Sequence, residues 1–281
     1  MTPIIKPHEL VALRTSPDLL LIDARTGPGA KEAYHSSHLD GALYIDLEEE
    51  LSKKGPSPAV GGRHPLPPVE QFAALLGTLG VQPTSHVVVY DDKAGANPAA
   101  RLWWMLRALG HETVQVLDGG MEGALAAGYP ANAETVTPTP VAPYPAKSWG
   151  LPMAGVEEVE RAAADKNLMV IDVRDAVRYR GEKEPIDKIA GHIPGAVNLP
   201  FSNNLNAQGR FRDPQELRQF YSDALGDKRP DNIIVHCGSG VTACHTLLAM
   251  DYAGLSIPKL YVGSWSEWSN SGRPVATGVE A

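Results

Sequence analysis

Short, unbroken apolar runs alternate along this chain with segments whose apolar residues recur every three to four positions. The runs are LLLIDA (19–24), HVVVYD (86–91), VQVLDG (114–119), LMVIDV (168–173), NIIVHC (232–237) and KLYVGS (259–264). A strand with one wet face would alternate apolar and polar residues. These do not, so the pattern predicts strands buried on both faces of a parallel sheet. Helical periodicity fills the intervals at PVEQFAALLGTLG (68–80), ARLWWMLRALG (100–110), PQELRQFYSDALG (214–226) and TACHTLLAMDYAG (242–254). Each of these closes on glycine, a common helix stop. Alternating strands and helices predict an α/β fold: doubly wound, mainly parallel sheets with helices on both faces.

The pattern is written twice. LLLIDAR (19–25) returns as LMVIDVR (168–174), HLDGALYIDL (38–47) as HIPGAVNLPF (192–201) and HVVVYD as NIIVHC. Leu117–Pro130, LDGGMEG…GYP, returns as Tyr261–Pro274, YVGSWSE…GRP. Four matches in one order predict tandem homologous domains. Between the halves, Ala131–Pro152 is rich in proline and keeps no helical or strand period. Proline fixes φ and removes an amide donor, so an extended linker is expected. The expected division is a domain over 1–135, a linker over 136–149 and a domain over 150–281.

Composition narrows the function. The formal net charge is −8 and the hydrophobic content 43%, which argues for a globular chain and against a general binder of nucleic acid or anionic membrane. The N-terminus lacks a signal-peptide pattern, and no run approaches the ~18 apolar residues of a membrane span. A cytoplasmic monomer is the expectation. The two cysteines, Cys237 and Cys244, would lie roughly 10 Å apart on a helix, too far for a disulfide. No CxxC pair suggests a metal site, and neither metal nor cofactor is expected.

The chemistry concentrates in HCGSGVTACH, His236–His245. A strand, a glycine-bearing loop and a helix start form a cradle for anions. Gly238 and Gly240 are expected to supply the backbone angles that turn amides inward, and Ser239 and Thr242 add hydroxyls. Cys237 at the mouth of such a cradle favours the thiolate. Cys244, inside a helix, reads as a core residue. Cysteine phosphatases place an arginine six positions after the cysteine; here that position is Ala243, so phosphoryl chemistry is disfavoured. A reactive cysteine leaves both a group-transfer enzyme and a redox sensor open, and a non-catalytic binding module is a third reading.

With HLDGA at 38–42, HIPGA at 192–196 and CGSGVTA at 237–243, the chain resembles two-domain sulfurtransferases of the rhodanese superfamily. The loop is most similar to that of 3-mercaptopyruvate sulfurtransferases. The resemblance implies a ping-pong reaction: a small anionic donor passes sulfane sulfur to Cys237, and the persulfide is discharged to cyanide or to a thiol such as thioredoxin or a low-molecular-weight thiol. It implies catalytic roles for Cys237 and Ser239, and donor binding by Gly238, Gly240, Val241, Thr242 and Arg178. Arg180, Lys188 and His38 are weaker donor-binding candidates. A second donor-binding arginine, usual just before HIPG, is missing, which sets thiosulfate beside 3-mercaptopyruvate as the alternative donor. In the first half Asp91 stands at the nucleophile position. A carboxylate cannot carry a persulfide, so that half is expected to be silent. Arg174, repeated as Arg25, is expected to form a structural ion pair.

Overall fold

The structure, a computed structural model, describes residues 1–96 and 98–279. The chain folds into two compact units. Unit 1 comprises Met1–Lys53, Pro67–Gly150 and Ala207–Phe211; unit 2 comprises Lys54–Leu66, Leu151–Asn206 and the chain from Arg212 onward. The change of unit after Gly150 lies at the end of the proline-rich stretch. Two short segments depart from a contiguous division, each half lending one loop to the other's unit.

Unit 1 contains β1 (Ile4–Ile5), α1 (Pro7–Leu13), β2 (Leu19–Asp23), α2 (Ala30–Ser36), β3 (His38–Leu39), β4 (Leu43–Tyr44), α3 (Val69–Thr78), β5 (His86–Tyr90), α4 (Pro98–Ala108), β6 (Val114–Leu117), α5 (Gly120–Ala126) and β7 (Ala131–Asn132). Its main sheet is parallel in the order β1-β6-β5-β2-β4, with β3 and β7 as a separate antiparallel pair. Unit 2 contains α6 (Val156–Ala164), β8 (Met169–Asp172), α7 (Ala176–Tyr179), β9 (Val197–Asn198), α8 (Pro214–Leu225), β10 (Ile233–His236), α9 (Ala243–Tyr252), β11 (Lys259–Leu260) and α10 (Ser264–Asn270). Its sheet is parallel in the order β11-β10-β8-β9. Each apolar run read from the sequence contains a strand, and each of the four helical periods contains a helix.

The central strands are buried on both faces, as their unbroken apolar sequence requires: Val87–Tyr90 and Ile233–His236 are buried throughout. In unit 2 the core joins Val170 and Ile234 to Trp265 and Trp268. Burying such aromatic side chains contributes most per residue to a core.

The proline-rich segment is extended but not a free tether. Val141 and Tyr144 donate their amides to Gly77 O and Ala73 O of α3, at 2.8 and 2.9 Å. A Cβ on Gly77 would lie 2.8 Å from Ala142 O, so this glycine lets the segment lie directly against the helix. No helix among the described residues is long and apolar enough to cross a membrane.

Candidate active site

In unit 2, β10 delivers Cys237 to the carboxyl edge of the sheet, one residue past the His236–Asp172 pairing with β8. Ligands of open parallel sheets meet the chain at this edge. Cys237 is buried, and the loop after it runs into α9. Gly240 has φ +74°, and a Cβ there would lie 2.4 Å from Val262 O, so only glycine fits. Gly238 corrects the sequence expectation: its φ is not positive. Its missing side chain serves another purpose. A Cβ there would lie 3.5 Å from both Arg178 Nη2 and Arg63 Nη2. The bare backbone therefore leaves space beneath two guanidiniums.

The carbonyls of Cys237 and Gly238 are engaged by α10. The amide of Trp265 donates to Cys237 O at 3.0 Å, and that of Ser266 to Gly238 O at 2.9 Å. First-turn amides of a helix have no acceptors of their own, so each contact satisfies both groups. It also occupies two carbonyl oxygens whose partial negative charge would otherwise oppose an anionic sulfur. The helix dipole of α9 acts in the same direction at the loop's other end.

The guanidiniums belong to an alternating chain of charges: Asp172, Arg174, Glu184, Arg178, Asp187, Arg63. Successive N–O contacts are 2.6, 3.3, 2.7, 3.6 and 2.7 Å. Burial acts to raise the Glu184 pKa, but hydrogen bonds from Arg178 and from the amides of Asp187 and Ile186 hold it below the usual carboxylate value. Asp172 is likewise held low: burial opposes ionisation, and the charge of Arg174 more than compensates. Three carboxylates balance three arginines, so the network fixes guanidinium orientation more than it supplies net charge. Arg174 is fully enclosed in it and donates to Gly191 O, the structural role its repeat suggested.

Ser239 is buried, and its Oγ lies 2.8 Å from His64 Nδ1. His64 and Arg63 both come from the loop 54–66 that the first half lends to unit 2. That loop is fastened to α10: Gly61 N donates to Glu267 Oε1 at 2.7 Å and Arg63 N to Ser266 Oγ at 3.0 Å. Sequence reading passed over both residues. One signal was available: GRHPLPPVEQF (62–72) is echoed by GRFRDPQELRQF (209–220). Arg210 is thus the repeat counterpart of Arg63. It lies in unit 1, donating to Asp118 O and covering Gly119.

Other residues singled out from the sequence are placed as follows. Val241 is buried and Thr242 half-buried at the start of α9. Arg180 is held in an exposed pair with Glu182 at 2.7 Å, and Lys188 is exposed. His38 is corrected: it is buried, stacked on Tyr34 at 4.2 Å, with Nδ1 against Tyr34 O at 2.7 Å. His192 repeats this arrangement on Tyr179 at 3.7 Å. Both histidines brace the turn after their helix and present no surface to a small molecule. Cys244 is buried in α9 with Sγ directed to Gly240 O.

In unit 1, buried Asp91 accepts the amides of Lys93 and Gly95 at 2.8 Å and of Ala99 at 3.3 Å. The loop equivalent to the cradle is thus filled by its own carboxylate. A cavity of about 560 Å³ beside it is lined by Arg25, Asp91, Asp92, Glu122 and Arg210 among others.

The rhodanese-like domain profile matches residues 6–127 and 155–271. The chain is 42% identical to a probable 3-mercaptopyruvate sulfurtransferase of Pseudomonas aeruginosa, over 98% of both chains. It is 37% identical to a thiosulfate sulfurtransferase of Cricetulus griseus, covering 92% of this chain and 87% of that one. Among solved structures, 3-mercaptopyruvate sulfurtransferase from Leishmania major superposes with a TM-score of 0.84 at 31% identity, covering 96% of this chain and 75% of that one.

Proposed function

The chain belongs to the rhodanese family and is a sulfurtransferase, and we propose that it takes sulfane sulfur from 3-mercaptopyruvate onto Cys237 and passes it to a thiol or to cyanide. The observation that carries this reading is the open floor at Gly238, with Cys237 on one side and the guanidiniums of Arg178 and Arg63 above. A flat carboxylate beside a carbonyl suits paired guanidinium edges. Thioredoxin-like proteins and small thiols fit the acceptor role. Catalysis resides in the second half; the first is silent because Asp91 cannot carry sulfur.

The reaction then runs as follows. The Cys237 thiolate attacks the donor sulfur, and the donor C–S bond breaks with its electron pair passing to the enolate of pyruvate. The proton of the donor thiol ends on the enolate carbon, relayed by Ser239 and His64 at their 2.8 Å contact. Cys237 is left as a persulfide anion. Attack by cyanide on the outer sulfur gives thiocyanate and restores the thiolate; an acceptor thiolate takes the same sulfur as its own persulfide.

Thiosulfate is the second reading, favoured by one observation: a thiosulfate sulfurtransferase of Cricetulus griseus is 37% identical to this chain. The test has two parts. Donor alone should add one sulfur to the Cys237 peptide and none to the Cys244 peptide, and Cys237→Ser should abolish turnover. The ratio of kcat/KM for the two donors, on one preparation, then decides between them. Sulfur on Cys244 would overturn the assignment.

A further inference from the structure

Ser264 stands out by its backbone. Its φ is +54°, and apart from Ala94 it is the one non-glycine residue with positive φ among the described residues. Left-handed backbone costs a residue with a Cβ roughly 1 kcal/mol or more, and it persists where the surroundings demand it. Its repeat counterpart in LDGG is Gly120, which has the same φ of +54°. Glycine satisfies this turn without strain, and the silent half uses glycine. The half with the cysteine uses serine.

Two contacts account for the difference. Ser264 Oγ donates to Tyr261 O at 2.9 Å and accepts the backbone amide of Cys237 at 3.2 Å, all fully or nearly fully buried. The Cβ matters separately. In unit 1 a Cβ on Gly120 would lie 2.3 Å from Asp91 O, the carbonyl of the residue at the nucleophile position. That carbonyl position and a side chain at 120 exclude each other. In unit 2, where residue 264 carries a side chain, the Cys237 carbonyl is paired with Trp265 N at 3.0 Å.

We propose that Ser264 is a positioning residue for the nucleophile: its hydroxyl holds the amide of Cys237, and its Cβ bars the carbonyl of Cys237 from the orientation of the silent half. It does not touch the donor. It fixes the two peptide groups that set the direction of the Cys237 Cα–Cβ bond, and so where the sulfur stands in the cradle. The strain at Ser264 is retained for that alignment.

The proposal rests on Cys237 being the sulfur carrier, and the experiment separates the two. Ser264→Ala keeps the Cβ and the strain but deletes the hydroxyl. Ser264→Gly deletes both and relieves the strain. Positioning predicts opposite orders: thermal stability Gly above Ala, but kcat parent above Ala above Gly. A buried amide left without its acceptor corresponds to a loss of roughly tenfold for Ala, and more for Gly, with donor KM within about twofold of the parent. A merely structural serine would give activity that follows stability, with Gly recovering what Ala loses. That result, or parental kcat in Ser264→Gly, overturns the proposal. Alkylation of Cys237 by iodoacetamide, followed by peptide mass, is read in parallel and should slow in the same order. If the parent takes up no sulfur from either donor, the sulfur-carrier reading fails, while the alkylation order still decides the role of Ser264.

Discussion

Arg63 Nη1 sits 2.7 Å from Asp187 Oδ1, although the two residues are 124 positions apart in the chain. Asp187 also lies 3.6 Å from Arg178, so one carboxylate aligns both guanidiniums above Gly238. Under the proposed function, Arg63 of the loop 54–66 is the cation that the stretch before HIPG lacks.

Arg63→Ala should therefore raise the donor KM, lowering kcat/KM by about 10- to 150-fold, the usual loss for a charge-assisted pair. It also leaves the Asp187 carboxylate, with only 4% of its side chain exposed, short of its partner, which destabilises the fold. Adding Asp187→Asn should recover thermal stability without recovering KM. Steady-state kinetics and melting curves on the single and double variants check this. A double variant with parental KM would remove Arg63 from donor recognition.

Ser239 and His64 should act as one unit. Loss of a positioned proton relay typically costs about 100-fold or more. Ser239→Ala and His64→Gln should each lower kcat by that order, and the double variant should be little slower than the worse single one, since each change breaks the same 2.8 Å contact. Additive losses in this cycle would mean that the two residues serve separate steps.

The strands, the paired halves and the cysteine loop were legible because each has a local signature. LLLIDA and NIIVHC carry their burial in an unbroken apolar run, and CGSGVT carries its tight turn in Gly240, whose φ is positive. Arg63 and His64 were not legible. They lie in a loop without period, and their importance comes from tertiary contacts with Ser239, Ser266 and Glu267. His38 misled for a related reason. HLDGA marks the domain, and stacking on Tyr34 makes His38 part of the scaffold, as stacking on Tyr179 does for His192 of HIPGA. Gly238 and Gly240 read alike in sequence, and only the structure separates room from backbone angle.

That separation is testable. Gly240→Ala places a Cβ 2.4 Å from Val262 O at φ +74°, which should destabilise unit 2 by roughly 1–3 kcal/mol. Gly238→Ala meets only guanidinium nitrogens at 3.5 to 3.6 Å, an ordinary contact. It should melt as the parent does while raising donor KM several-fold by occupying the space beneath Arg178 and Arg63. Thermal melts and KM on the two variants should therefore move in complementary ways. Equal destabilisation by both would refute the distinction.

His236 gives a prediction about pH. It is completely buried, with Nδ1 3.1 Å from Cys237 O and Nε2 3.8 Å from Asp172. Burial lowers its pKa from the ordinary 6.5, and the charge of Arg174 adds to this while Asp172 works against it. The folded chain therefore holds the ring neutral at pH values where the unfolded chain protonates it. The unfolded state binds more protons, so stability rises with pH up to about 6.5 and is lost as pH falls below it toward the folded value. One such group changes the folding equilibrium by at most about tenfold per pH unit. The shifts at Asp172 and Arg174 act outside this window, because their ordinary values lie well below and well above it. Replacing His236 by Gln keeps a neutral polar side chain and removes the titration. Urea midpoints measured from pH 7.5 to pH 5 should fall for the parent more steeply than for His236→Gln, the two curves converging toward acid. Curves that stay parallel across that range would show that His236 takes up its proton in the folded state as readily as in the unfolded one.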